Sequence, residues 1–183
     1  MRNNWRLVLS RPRTNRASLW RDARSSRNGD GPGHLVVCDG VQDPSNLGSI
    51  LRSAQAAGIR GLITTPNSVD PFHHRALRAS MGAAFHLPIL QDEPIAPLLA
   101  TLKNLGWRTA ALAANGETEL QQLPSDVPYA LLLGAEGSGL APAVAAQCDL
   151  RVRIPMHGRI DSLGVAAAAA VVFFSLFLEH RRG

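Results

Sequence analysis

Residues 154–178 read IPMHGRIDSLGVAAAAAVVFFSLFL, a polar, glycine-containing stretch that runs straight into one of the most apolar segments of the chain. No charge occurs from Leu163 to Leu178, sixteen residues. A membrane-spanning helix needs about 20 predominantly apolar residues. The run is therefore too short for an anchor, and its five consecutive alanines add little drive for insertion. It reads as a buried terminal helix from Ser162 to Glu179, packed on a sheet or a second subunit, with Asp161 or Ser162 as N-cap. Gly164 then falls in the first turn, where glycine costs about 1 kcal/mol relative to alanine.

A helix of this kind needs a sheet to cover, and the preceding sequence supplies one. HLVVCD (34–39), GLITT (61–65), WRTAALAA (107–114), YALLLG (129–134) and LRVRIPM (150–156) read as short apolar strands. Between them lie helix-like segments at 47–57, 71–80, 96–106 and 140–148. Asp70 caps the second with Pro71 at its first position, and Gly106 ends the third. Continuous apolar strands alternating with helices indicate an α/β domain with a mainly parallel sheet flanked by helices.

Charge divides the chain differently. The 183 residues carry a formal net charge of +5, but residues 1–33 hold eight arginines against Asp22 and Asp30. That basic extension shows no sustained periodicity and ends in a linker-like stretch, RSSRNGDGPGH (24–34). The expected organisation is an Arg-rich extension over 1–33 and a folded domain over 34–183. The extension reads as an RNA-binding arm, a targeting segment or a solvated tail. It lacks the apolar core of a secretory signal. Two cysteines, Cys38 and Cys148, cannot build a disulfide scaffold or a zinc site and read as buried thiols of a reducing, cytoplasmic compartment. No metal is expected.

Three loops follow apolar strands and carry residues with no packing role. In DGVQDPSNLGSILRSAQAAG (39–58), Ser45 or Asn46 can cap the helix and Gly48 permits close backbone approach. Arg52 lies six residues after Asn46, about 600° round a helix, so the two share no stripe. They meet only if Asn46 sits in the cap and Arg52 reaches back. In LLLGAEGSGLAP (131–142), Gly134, Gly137 and Gly139 suggest backbone shaped around a ligand, with Glu136 as a ligand group or a turn residue. The order G-x-x-G-x-G differs from the dinucleotide fingerprint, which argues against an NAD-type site. The third loop is the opening stretch itself.

Together these segments are more specific than any one of them. NLGSILRSA (46–54), LLLGAEGSGL (131–140) and IPMHGRIDSLGVAAAAAVVFF (154–174) resemble the three ordered motifs of the SpoU/TrmH family of RNA methyltransferases, of the SPOUT class. RASMGAAFHLPI (78–89) resembles the family's segment between the first two. The resemblance covers about residues 34–179. It implies a SPOUT fold with a C-terminal deep trefoil knot and a homodimer with the site near the subunit interface. It also implies S-adenosylmethionine bound by loops containing Ala113, Ala114, Asn115, Gly134, Gly137, Ile154, Met156 and Leu163.

The implied reaction is methylation of a ribose 2′-hydroxyl in tRNA or rRNA, with no membrane partner. Arg52 is implied to engage the hydroxyl and its neighbouring phosphate, Asn46 to position Arg52 and substrate, Glu136 to orient the site and Ser162 to support the third loop. One position departs: Gly164 stands where the family usually has an asparagine. A non-catalytic relative that binds RNA and cofactor is the alternative this departure implies.

Overall fold

The computed structural model describes residues 15–24, 32–124, 126–158 and 160–181. Its seven strands are β1 (Leu35–Cys38), β2 (Gly61–Thr64), β3 (Ile89–Leu90), β4 (Arg108–Leu112), β5 (Thr118–Glu119), β6 (Tyr129–Leu133) and β7 (Leu150–Arg153). They form one sheet in the order β3-β2-β1-β6-β4-β7-β5, and every neighbouring pair is parallel. Val36 sits opposite Leu62 on one side and Leu131 on the other, so the central strands are apolar on both faces. The expected five strands are present; β3 and β5, two residues each, were too short to show a pattern.

Side chains alternate across the sheet. Val36, Leu131 and Leu133 join one core with Leu47, Ile50, Val172 and Phe173. Val37, Ala130 and Leu132 join the other with Leu19, Leu98, Leu102 and Trp107. The first layer holds α2 (Pro44–Ala56), α3 (His74–Ser80) and α6 (Val165–His180); the second holds α1 (Arg16–Arg24), α4 (Ile95–Asn104) and the short α5 (Pro142–Ala145). Burying each large aliphatic side chain is worth about 1.5–3 kcal/mol.

Four local expectations are corrected. The extension contains α1, whose Leu19 and Ala23 are fully buried, whose Trp20 ring lies 5.9 Å from that of Trp107, and whose Arg16 pairs with the buried Glu93. Nine residues with two buried positions give too weak a periodicity to stand out among arginines. Helix α2 is capped by Asp43, not Ser45 or Asn46: its Oδ1 accepts from the amides of both, at 2.6 and 3.2 Å. Asp70 does not cap α3; its Oδ1 takes the Phe72 amide in a preceding turn, and His73 Nδ1 accepts from Arg75 instead. Helix α6 starts at Val165 with Gly164 as N-cap, so neither Asp161 nor Ser162 caps it. Gly164 is extended (φ −57, ψ 148) and outside the helix, where glycine carries little penalty.

The end of α4 is as expected, with Gly106 in a left-handed conformation (φ +85) just past it. Helix α6 buries Ala169, Val172, Phe173 and Leu176, spaced i, i+3, i+4, i+7, and leaves Val171, Phe174 and Leu178 exposed. Among the described residues no helix is long and apolar enough to cross a membrane. Cys38 is buried, but Cys148 is only half-buried; both are free thiols. Residues 1–14 and 25–31 of the Arg-rich extension lie outside the described residues.

Candidate functional site

Because the strands are parallel, their carboxyl ends share one edge, and the loops leaving them meet there. The loops after β4, β6 and β7 enclose a cavity of about 660 Å³, within the usual range of about 300–1,000 Å³ for small-molecule sites. Its wall includes Ala113, Ala114, Asn115, Gly134, Gly137, Ile154, Met156 and Leu163, all eight residues expected from the resemblance to contact cofactor. Asn46, Glu136 and Ser162 are on it too.

The loop after β6 is a tight closed turn. Ala135 and Gly139 exchange backbone hydrogen bonds of 3.1 and 2.9 Å, forming an isolated antiparallel bridge. Gly137 and Gly139 take φ of +88 and +69, which residues with a Cβ rarely adopt. A Cβ on Gly134 would lie 2.1 Å from the Gly139 carbonyl carbon and the Leu140 nitrogen. At Gly116, between β4 and β5, it would lie 2.6 Å from the Val152 carbonyl carbon of β7. Backbone therefore passes against backbone on two sides of the cavity.

Glu136 projects from this turn to the first turn of α2. Asn46 Nδ2 donates to its Oε1 at 3.0 Å, and the Gln42 amide donates to Oε2 at 3.3 Å. Capping by Asp43 leaves the Asn46 side chain available for that contact. Partial burial opposes ionisation of Glu136, but the bonds from Asn46 and nearby backbone amides outweigh it and hold the carboxyl below its ordinary range. Ser68 fixes the base of the same segment: its hydroxyl donates to Cys38 O at 2.8 Å and accepts from the Gly40 amide at 2.9 Å. Thr65 donates to Asp39 at 2.8 Å beside it.

Arg52 stands apart. It is exposed on α2, is not on the cavity wall, and has no hydrogen-bonding or ionic partner among the described residues. Asn46 contacts Glu136 rather than Arg52. Three wall residues escaped the sequence reading as ligand groups: Asp161, Ser138 and Arg151, the last paired with Glu117. Asp161 reads in sequence as a helix cap, and nothing in the order of residues marks the other two. Among the described residues no group of three or more His, Cys, Asp or Glu gathers as a metal site.

Comparison with known proteins converges on one family. Residues 33–174 match the SpoU rRNA Methylase family. A Staphylococcus haemolyticus protein named for the TrmH family of tRNA/rRNA methyltransferases is 32% identical over 87% of this chain and 64% of its own length. The chain thus spans somewhat under two thirds of that relative. The SpoU methyltransferase AviRb from Streptomyces viridochromogenes, solved with AdoMet, superposes with a TM-score of 0.79 at 28% identity, over 94% of this chain and 67% of its own. A solved RNA 2′-O ribose methyltransferase gives 0.74 at 30% identity, over 87% and 60%.

Proposed function

Because the chain belongs to the SpoU rRNA methylase family, we propose that it transfers a methyl group from S-adenosylmethionine to a ribose 2′-hydroxyl of tRNA or rRNA. The observation that carries this reading is the Asn46–Glu136 hydrogen bond at the mouth of a cavity of about 660 Å³. The residues fit the cofactor. Glu136 and Asp161 present carboxylates suited to a cationic sulfonium, while the one arginine among the described wall residues, Arg151, is paired with Glu117. Ala113, Ala114, Asn115, Gly134, Gly137, Ile154, Met156 and Leu163 would hold its nucleoside, chiefly through backbone groups.

When bound, S-adenosylmethionine supplies an electrophilic methyl carbon on sulfur. The chain's own task is to hold the hydroxyl oxygen in line with that carbon and to let its proton leave. With Nδ2 committed to Glu136, the Asn46 carbonyl oxygen is left to accept from the hydroxyl. A guanidinium is a poor base, so Arg52 instead grips the adjacent RNA phosphate, to which the proton can pass. Ser162 supports the loop before α6. The non-catalytic alternative rests on Gly164, whose position has open space for an absent side chain. The assembled Asn46–Glu136 pair favours catalysis.

The reading extends to threading and assembly. A C-terminal trefoil knot is supported by β7 lying between β4 and β5, with the loop joining those two pressed on its backbone at Gly116. A homodimer is supported by the apolar stripe Val171, Phe174 and Leu178 that α6 leaves exposed. The site of action would be the cytoplasm, with the RNA. Calorimetry should detect S-adenosylmethionine binding, and labelled methyl should reach RNA but not the matching DNA, which lacks the 2′-hydroxyl. Arg52→Ala should abolish transfer with cofactor affinity nearly unchanged. Transfer to DNA and RNA alike would sink the ribose assignment.

A further inference from the structure

Residues 44–91 carry four arginines and three histidines against one carboxylate, Asp70. That carboxylate is engaged by the Phe72 amide and the Gln91 side chain, both at 2.9 Å. The rest of the chain after residue 33 is net acidic. Three of those arginines, Arg52, Arg75 and Arg78, and His74 lie on α2 and α3. Gly48 makes this pair close-packed: a Cβ there would meet the Ala76 carbonyl oxygen and the Ala79 Cβ at 2.5 Å.

The outer surface of α3 adds flat and apolar groups to that charge. Phe72 is 41% exposed and leans on Phe85, their centroids 6.4 Å apart. The rings of His73 and His74 lie 4.3 Å apart, and His74 is exposed. Met81, 75% exposed, closes the helix in a left-handed conformation. Arg75 and Arg78 are exposed beside them, and no carboxylate among the described residues forms a salt bridge with either. Arg75 lies close enough to Asp43 to help lower its carboxyl, after the amides of Asn46 and Ser45. The surface thus reaches the cap of α2, three residues from Asn46 on the cavity wall.

We propose that the surface of α3 and its flanking turns, from Phe72 through His74, Arg75 and Arg78 to Met81, is a track for single-stranded RNA leading to the cavity. Unpaired bases stack on Phe72 and His74 while Arg75 and Arg78 follow the phosphates; stacking platforms interleaved with cations are how unstructured strands are held. A duplex keeps its bases stacked internally and cannot use the platform. The proposal rests on the RNA methyltransferase reading and specifies which form of RNA it takes.

The test measures anisotropy of a labelled 20-nucleotide mixed-sequence RNA and of the same strand in duplex, over a salt series. Single strand should bind tighter than duplex. Arg75→Ala with Arg78→Ala should reduce the slope of log affinity against log salt by about 1.4, near 0.7 per phosphate contact. Phe72→Ala should weaken binding about 5- to 150-fold, and Phe72→Trp should retain it. Because Phe72 also packs on Phe85, His74→Ala supplies a second variant that leaves that contact intact. S-adenosylmethionine affinity should not change, and KM for RNA should rise with kcat held.

Wild-type affinity for single strand in all these variants would overturn the track while leaving the methyltransferase reading standing. So would preference for duplex, or a change of oligomeric state in the variants, which would make the surface a contact between copies. Loss of methyl transfer by wild type with RNA binding retained would instead remove the enzymatic reading and keep the track.

Discussion

His34, at the amino end of β1, is buried, and its Nδ1 accepts the Tyr129 amide at 3.1 Å. Burial, reinforced by the positive charges of His180 and Arg60, lowers its pKa from 6.5 to about 4. Well above pH 6.5 the imidazole is neutral in both folded and unfolded chains and contributes no pH dependence. As pH falls, the unfolded chain takes up the proton first, so stability drops between about 6.5 and 4 and levels off below. From these two values the loss between pH 7.5 and 5 is about 2 kcal/mol. His34→Asn keeps an acceptor near the Nδ1 position and removes the titration. Urea unfolding of both proteins at a series of pH values should show the wild type losing about 2 kcal/mol more than the variant over that interval. The variant's lost ring packing against Tyr129 is an offset common to all pH values. Parallel stability curves would refute the burial of a neutral imidazole at this position.

Leu19→Ala should cost about 2–5 kcal/mol in the same unfolding assay, because Leu19 is fully buried against the sheet; a loss under 0.5 kcal/mol would mean that α1 is not docked in solution. Gly134→Ala should abolish S-adenosylmethionine binding by calorimetry, since its Cβ would strike backbone at 2.1 Å, whereas Gly164→Ala should bind within about threefold of wild type, having nothing within 4 Å. Equal effects of the two would discredit the cavity wall. With a thiol reagent at neutral pH, native protein should label slowly at half-buried Cys148, whose pKa burial raises to about 11, and not at Cys38, which should react only on unfolding.

Much of the architecture was legible because its signals are local. Runs such as LVVC and YALLL are apolar at every position, as strands covered on both faces must be, and Gly106 marks the end of α4 by its own backbone preference. The three site loops were found by the same means, since glycines that serve as turns and close approaches have no other use. Helix α1 was lost because its two buried residues lie among arginines, and its register is fixed by Trp107, Leu35 and Gly61 far along the chain. The cap of α2 is ambiguous in sequence because neighbouring residues have equal capping chemistry. Asp43, Ser45 and Asn46 can all accept an amide, and only the entry angle of the chain selects Asp43.

Residues 154–178 divide along the same line. Charge and length alone make the run too short for a membrane span and identify a terminal helix, but it buries only the stripe Ala169, Val172, Phe173 and Leu176. That Gly164 stands outside that helix as its cap, with open space beside it, depended on where the sheet edge lets the helix begin. The partnership of Asn46 with Glu136 spans 90 residues and exists only because parallel strands deliver their following loops to one edge. Spacing along a chain describes what one helix or turn can do. Which loops meet is decided by strand order, and that is a property of the sheet as a whole.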